Sequence, residues 1–199
     1  KSTEENLSSG IKGSRFGATR DTAAAVEAAL QWLVANQEEN GSWDASLHRA
    51  GVDRQVGGQQ RSSTGVNADN GITGLALLAL LGDGNTHLVG TRREAVQHGL
   101  EYLLGQQSAN GSLAGNATMF ARMYCHAMAT VAVCEAYAMT RDERLQRCAE
   151  RAIEYTLGCQ DTLTGGWRYQ RSDPGDMSQF GWQVLALQSA QQAGISTPP

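Results

Sequence analysis

The sequence predicts an all-α fold, three helical hairpins stacked side by side, and three observations carry that prediction. One segment is spelled three times: Leu30-Gln-Trp-Leu-Val-Ala-Asn-Gln37 before Gly41-Ser-Trp43, Leu100-Glu-Tyr-Leu-Leu-Gly-Gln-Gln107 before Gly111-Ser-Leu113, and Ile153-Glu-Tyr-Thr-Leu-Gly-Cys-Gln160 before Gly165-Gly-Trp167. A weaker echo follows each copy, at Thr73–Ala79, His126–Ala132 and Phe180–Ala186, and it keeps register: Gln107 to Gln160 and Ala79 to Ala132 are both 53 residues. Within the copies apolar residues recur at helical spacing, and no period-two alternation is long enough for a strand. A repeat of this length is one supersecondary unit that buries its apolar face only against its neighbours.

Each repeat reads as two helices. In the first repeat, 21–38 opens at Asp21 and carries Val26, Leu30, Leu33 and Val34 on one face; 69–82 is apolar nearly all round from Leu75 to Leu81, as a helix buried on several sides should be. In the second, Thr91-Arg-Arg-Glu94 reads as a capping box opening 92–108, followed by 119–139. In the third, Thr140-Arg-Asp-Glu143 reads as another box opening 141–160, followed by 176–193. The repeats therefore span about 21–82, 92–139 and 141–193 of one domain, 18–194, with a polar lead-in at 1–17 and a tail at 195–199. The first repeat holds about 17 extra residues. They lie in 45–66, a stretch with Arg49, Arg54, Arg61 and Gly57-Gly58, read as a surface loop or as a partner-binding arm or lid.

Composition narrows the function classes. A chain of 199 residues with 41% hydrophobic content can bury one good core. A net charge of −4 with scattered Lys and Arg argues against nucleic acid, which needs a concentrated basic face. The longest apolar run, Leu75–Leu81, falls far short of the about 20 residues of a spanning helix. The chain opens on lysine, as a processed or excised piece would, and the compartment stays open. Of the four cysteines, Cys134 is level with Cys148 and Cys125 with Cys159 in a hairpin turning near 141. At about 100° per residue Cys125 and Cys134 fall on opposite helix faces, so one disulfide at most is open beside the reading of buried free thiols.

The Gln…Gly-x-Trp pattern resembles the QW repeat of squalene–hopene cyclases, oxidosqualene cyclases and protein prenyltransferase β subunits. The resemblance covers about 21–193 and implies an α/α toroid-type stack, here three hairpins of a partial α/α barrel. It implies that Gln37, Gln107 and Gln160 close helix ends and that Trp43 and Trp167 tie adjacent units together. Leu113 departs from that pattern, which predicts a looser second joint. The stretch Gly165-Gly-Trp-Arg-Tyr169 to Leu187 also resembles bacterial prenyltransferase/squalene-oxidase repeat proteins, a group with no general reaction assigned to it. Fold resemblance alone gives no activity.

The cyclases protonate substrate with an Asp-x-Asp-Asp cluster. Asn67-Ala-Asp-Asn70 stands nearest, with amides where two carboxylates should be, so Asp69 is a weak catalytic candidate. Asp176 occupies the same slot in the third repeat, and two aspartates opening two inner helices read as N-caps whose charge the helix start favours. The prenyltransferase zinc site needs Asp, Cys and His. Cys125 and His126 are adjacent, point about 100° apart and suit one metal poorly, so no metal or other cofactor is expected. A ligand-binding cluster of Arg122, Tyr124, His126, Asp176, Gln179 and Trp182 gathers where inner helices start, with His126 alternatively a core-edge residue. The expected function is a cyclase/prenyltransferase-like repeat domain without an intact catalytic motif, an interaction or ligand-binding module. A terpenoid cyclase or prenyl-transfer enzyme whose cavity is completed by a partner is the alternative. Expected partners are a second copy or further repeats of a parent chain, and a small molecule.

Overall fold

The computed structural model describes residues 19–48, 55–56, 59–60 and 65–197. Six α-helices order these residues: α1 (Arg20–Ala35), α2 (Asp69–Gly82), α3 (Arg93–Gln106), α4 (Met119–Thr140), α5 (Glu143–Gly158) and α6 (Met177–Gln192). In the expected loop lie a short 3-10 turn at Ala45–His48 and a two-residue antiparallel ladder, β1 (Gln55–Val56) with β2 (Gln59–Gln60). Arg49, Arg54, Arg61 and Gly57-Gly58, like residues 1–17, lie outside the described residues.

The chain divides into two compact units, one ending at Asn36 and one beginning at Gln37. The first contains α1. Thr19, not Asp21, is its N-cap: Thr19 Oγ1 accepts from Thr22 N (3.2 Å) and Thr22 Oγ1 accepts from Thr19 N (2.7 Å). In the second unit α4 is central, packed on α2, α5 and α6, while α3 lies on α2. Gly74 permits the α2–α4 approach, since a Cβ there would stand 2.7 Å from Met128 O. The most extensive packing joins the second helices of successive repeats, α2 with α4 and α4 with α6; among chain neighbours, α4 with α5 and α2 with α3 pack more extensively than α5 with α6.

Helix ends differ from the sequence reading in three places. Neither expected capping box forms. α3 begins after Arg92 without a side-chain cap, and Asn85 Oδ1 accepts the Arg92 N–H (3.0 Å). α4 runs on to Thr140, whose hydroxyl bonds back to Ala136 O, and Arg141 in the left-handed region ends it. Asp142 then caps α5, accepting from Arg144 N (2.8 Å); the Arg144 guanidinium bonded to it holds its carboxyl at about 2. The expected tail at 195–199 begins with structure. Gly194 (φ +83°) and Ile195 close α6 through bonds to Gln191 O and Ala190 O, and Ile195 is buried.

The repeated glutamine explains the repeated motif. Gln37 Nε2 donates to Gly41 O (2.9 Å) in its own turn and to Ala95 O (3.0 Å) of α3. Gln107 Nε2 donates to Gly111 O (3.1 Å) and to Cys148 O (2.8 Å) of α5. Gln160 Nε2 donates to Gly165 O (2.8 Å), with no second acceptor among the described residues. In the first two repeats one amide thus closes a turn and pins the first helix of the next repeat. The second joint is no looser than the first: Leu113 is fully buried, and its N–H is held by His126 as the Trp43 N–H is held by Thr73.

All four cysteines are buried free thiols. Cys125 faces α2, where a Cβ on Gly71 would touch its sulfur, and Cys134 lies in the electrostatic reach of Cys148. Burial pushes Cys125 up to about 11, and Cys134 and Cys148 up to about 12. The thiolate is the reactive form. In a timed reaction with Ellman's reagent at neutral pH, the native protein is expected to leave these three thiols unmodified until denaturant is added.

Candidate functional site

The second unit presents a groove of about 460 Å³ where α4, α5 and the third turn meet. Arg122 from the start of α4, Glu154 and Tyr155 from α5, and Tyr169 and Arg171 from the connection to α6 line it. The repeat fold brings them together. Tyr155 stands on α5, five residues before Gln160, and its ring meets His126 edge-on at 4.7 Å between centroids. Tyr169 is held between Phe120 (edge-on, 5.1 Å) and the Arg168 guanidinium (5.3 Å). Burial raises the Tyr155 hydroxyl above its usual range, with the neighbouring Cys159 adding to the shift and Arg122 opposing it. Cys159, also on this wall, is pushed up by burial and is a poor nucleophile at neutral pH. Two guanidinium groups, one carboxylate and two phenols line the groove, a set whose charge and ring faces match the chemistry of a compact anion carrying a ring.

The expected ligand cluster separates in three directions. Arg122 reaches the groove. Tyr124 lies beside a second cavity, about 220 Å³, apolar and between α2 and α4. Its hydroxyl is 2.6 Å from Ser178 Oγ, which donates to Asp176 Oδ1 (2.6 Å), so Tyr124 must be the donor to Ser178. Asp176 is the N-cap of α6, accepting from Gln179 N (2.9 Å); the Ser178 hydroxyl first, then that N–H, lower its carboxyl. His126 is fully buried with both ring nitrogens engaged: Nδ1 accepts from Leu113 N (3.0 Å) and Nε2 lies 2.9 Å from Thr156 Oγ1. That leaves it no free atom for a ligand. The Gln179 side-chain amide is buried with no hydrogen-bond partner among the described residues, and Trp182 is half-buried on α6.

Asp69 and Asp176 are not equivalent. The N-cap of α2 is Ala68, so Asp69 is already the first helical residue and accepts no cap bond from its side chain. Partial burial raises its carboxyl, and Asp44, across the first turn, raises it further. Asn70, where a second carboxylate would stand, is committed to structure: its Nδ2 donates to Leu113 O (2.9 Å) and its Oδ1 accepts from Tyr102 (3.2 Å). Among the described residues no three His, Cys, Asp or Glu side chains group as metal ligands would. No described helix is long and apolar enough to cross a membrane.

Sequence reasoning missed Glu154, Tyr155, Tyr169 and Arg171 as lining residues. Tyr155 aligns with Tyr102 in the repeat and so reads as scaffold; only the turn of the connection after Trp167 brings Tyr169 and Arg171 beside it. No family model matches the chain, and no match to it was found among curated proteins or solved structures.

Proposed function

We propose that the chain is a toroid-type α/α repeat domain, similar to the squalene cyclase and prenyltransferase repeats, that serves as an interaction or ligand-binding module rather than a catalyst. The observation that carries this reading is the fate of the acid cluster. A cyclase acid needs neighbouring carboxyls to hold it neutral, and here the Asn70 amide is spent on Leu113 and Tyr102. The groove of Arg122, Tyr155, Tyr169 and Arg171 supplies recognition, and burial makes the Cys159 thiol on its wall a poor nucleophile at neutral pH. Phenyl phosphate, an anion on a ring, is the probe for it. Calorimetric titration should give saturable binding, weakened about 10-fold by Arg122→Gln or Arg171→Gln, the loss of one charge-assisted hydrogen bond. Absence of saturable binding to the folded protein defeats the ligand reading.

One observation favours the alternative, a cyclase or prenyl-transfer enzyme completed by a partner: partial burial raises the Asp69 carboxyl, and its chain neighbour Ala68 lines an apolar cavity. At about 220 Å³ that cavity is below the roughly 300–1,000 Å³ of ordinary ligand pockets, so the described residues do not enclose a polyene there. Product formed from squalene or farnesyl diphosphate, and lost in Asp69→Asn, would establish the alternative.

A further inference from the structure

Within the second unit, each joint that is followed by an outer helix is closed. A Cβ on Gly41 would collide with His98 O of α3, and one on Gly111 with Arg151 O of α5. Gly165 stands at the same place in the third repeat, in the same left-handed conformation, and no described atom lies within 4 Å of its Cβ position. The inner helix repeats the contrast. Asn70 and Met123 are 2% exposed because each meets the next repeat, Asn70 at Leu113 and Met123 at Cys159 and Trp167; Met177, in the same register, is 81% exposed. Thr73 and His126 are fully buried, whereas their counterpart Phe180 is 40% exposed. The third joint keeps the glutamine, the left-handed glycine and a buried residue at Trp167. It differs in two respects: Phe180 cannot accept the Trp167 backbone N–H as Thr73 and His126 accept theirs, and there is no described helix to hold.

The missing helix has a defined register. Ala95, Val96 and Gly99 of α3 align with Cys148, Ala149 and Ala152 of α5, and all are buried at the joints they fill. In α1 the same positions read Ala25, Val26 and Ala29, equally small, and all three are exposed, Val26 at 56%. We propose that α1 of a second copy docks head to tail on the third repeat, continuing the internal joint between chains. Gln160 Nε2 then donates its second N–H to Ala25 O, the counterpart of Ala95 O and Cys148 O. Gly165 admits the backbone of Ala28, the counterpart of His98 and Arg151. Phe180 meets Trp32, as His126 meets Tyr155. A joint between two different surfaces propagates or closes into a ring by the rotation it imposes, which separates it from a two-fold dimer. The α6 face also carries exposed Gln188 beside Leu185, so the contact is expected to be reversible.

The inference rests on the repeat register and not on the ligand groove, so failure of phenyl phosphate to bind leaves it standing. The test is sedimentation equilibrium of the full chain with two surface variants, Val26→Asp and Met177→Asp, each checked for native helicity by circular dichroism. The wild type is expected to associate at about 100 μM, and each variant to lose at least about 10-fold in association, since each buries an unpaired carboxylate. Mixing the two variants is decisive. Each retains one intact surface, so the mixture should form a one-to-one dimer that grows no further. A wild type that stays monomeric at about 1 mM, variants that associate like wild type, or a mixture that stays monomeric would each overturn the proposal.

Discussion

Gly111→Ala is expected to destabilise the chain by about 3 kcal/mol, whereas Gly165→Ala costs about 1 kcal/mol. Both glycines hold a positive φ, +91° and +72°, so both substitutions carry the strain of a left-handed alanine, about 1–2 kcal/mol. They differ in what the new methyl meets. At 111 it strikes the Arg151 carbonyl on α5, a backbone atom that moves only with its helix, adding about 1–3 kcal/mol of overpacking. At 165 no described atom stands in the way. Urea denaturation of the two variants, at a concentration where the chain is monomeric, measures the contrast. Equal costs would show that the second joint does not bring α5 against the turn.

Acid should find the other weak point, His126. Burial lowers its pKa from 6.5 to about 3. The unfolded chain therefore binds this proton below about pH 6.5, while the folded chain does so only near pH 3. Stability is complete above the unfolded value and falls as pH drops beneath it, by about 1.4 kcal/mol per pH unit. His126→Phe removes that slope at a cost of about 3 kcal/mol at neutral pH, because the Leu113 N–H and the Thr156 hydroxyl lose their partner. Urea midpoints of both proteins between pH 7 and pH 5, about one unit above the unfolded carboxylates, read the difference. A wild type as stable at pH 5 as at pH 7 would mean that His126 is reachable by water.

The helices were legible because their signals are local and repeated: all six lie within two residues of the spans that apolar spacing predicts at nearly every end. Caps were less legible, because they depend on competition among neighbours. Asp142 outbids Thr140 only once α4 has run its full length, and Thr19 outbids Asp21 through a reciprocal bond with Thr22. Asp69 looked like Asp176 by alignment, yet its surroundings include Asp44, which no local pattern connects to it. The looseness expected at Leu113 failed for a related reason. The joint is carried by Gln107, Gly111 and the backbone, and Leu113 needs only to be buried. Of the expected ligand cluster, Arg122 lines the groove, while His126 belongs to the interior.

The repeat reading depends on one amide, in the turn after the first helix of a repeat, reaching the first helix of the next repeat. Nuclear Overhauser spectra of the Gln37, Gln107 and Gln160 side-chain amides test that reach in solution. Cross-peaks from Gln37 to the residues around Ala95, and from Gln107 to those around Cys148, are predicted, with Gln160 at low concentration showing only its own turn. Cross-peaks confined to the local turn for all three glutamines would contradict it.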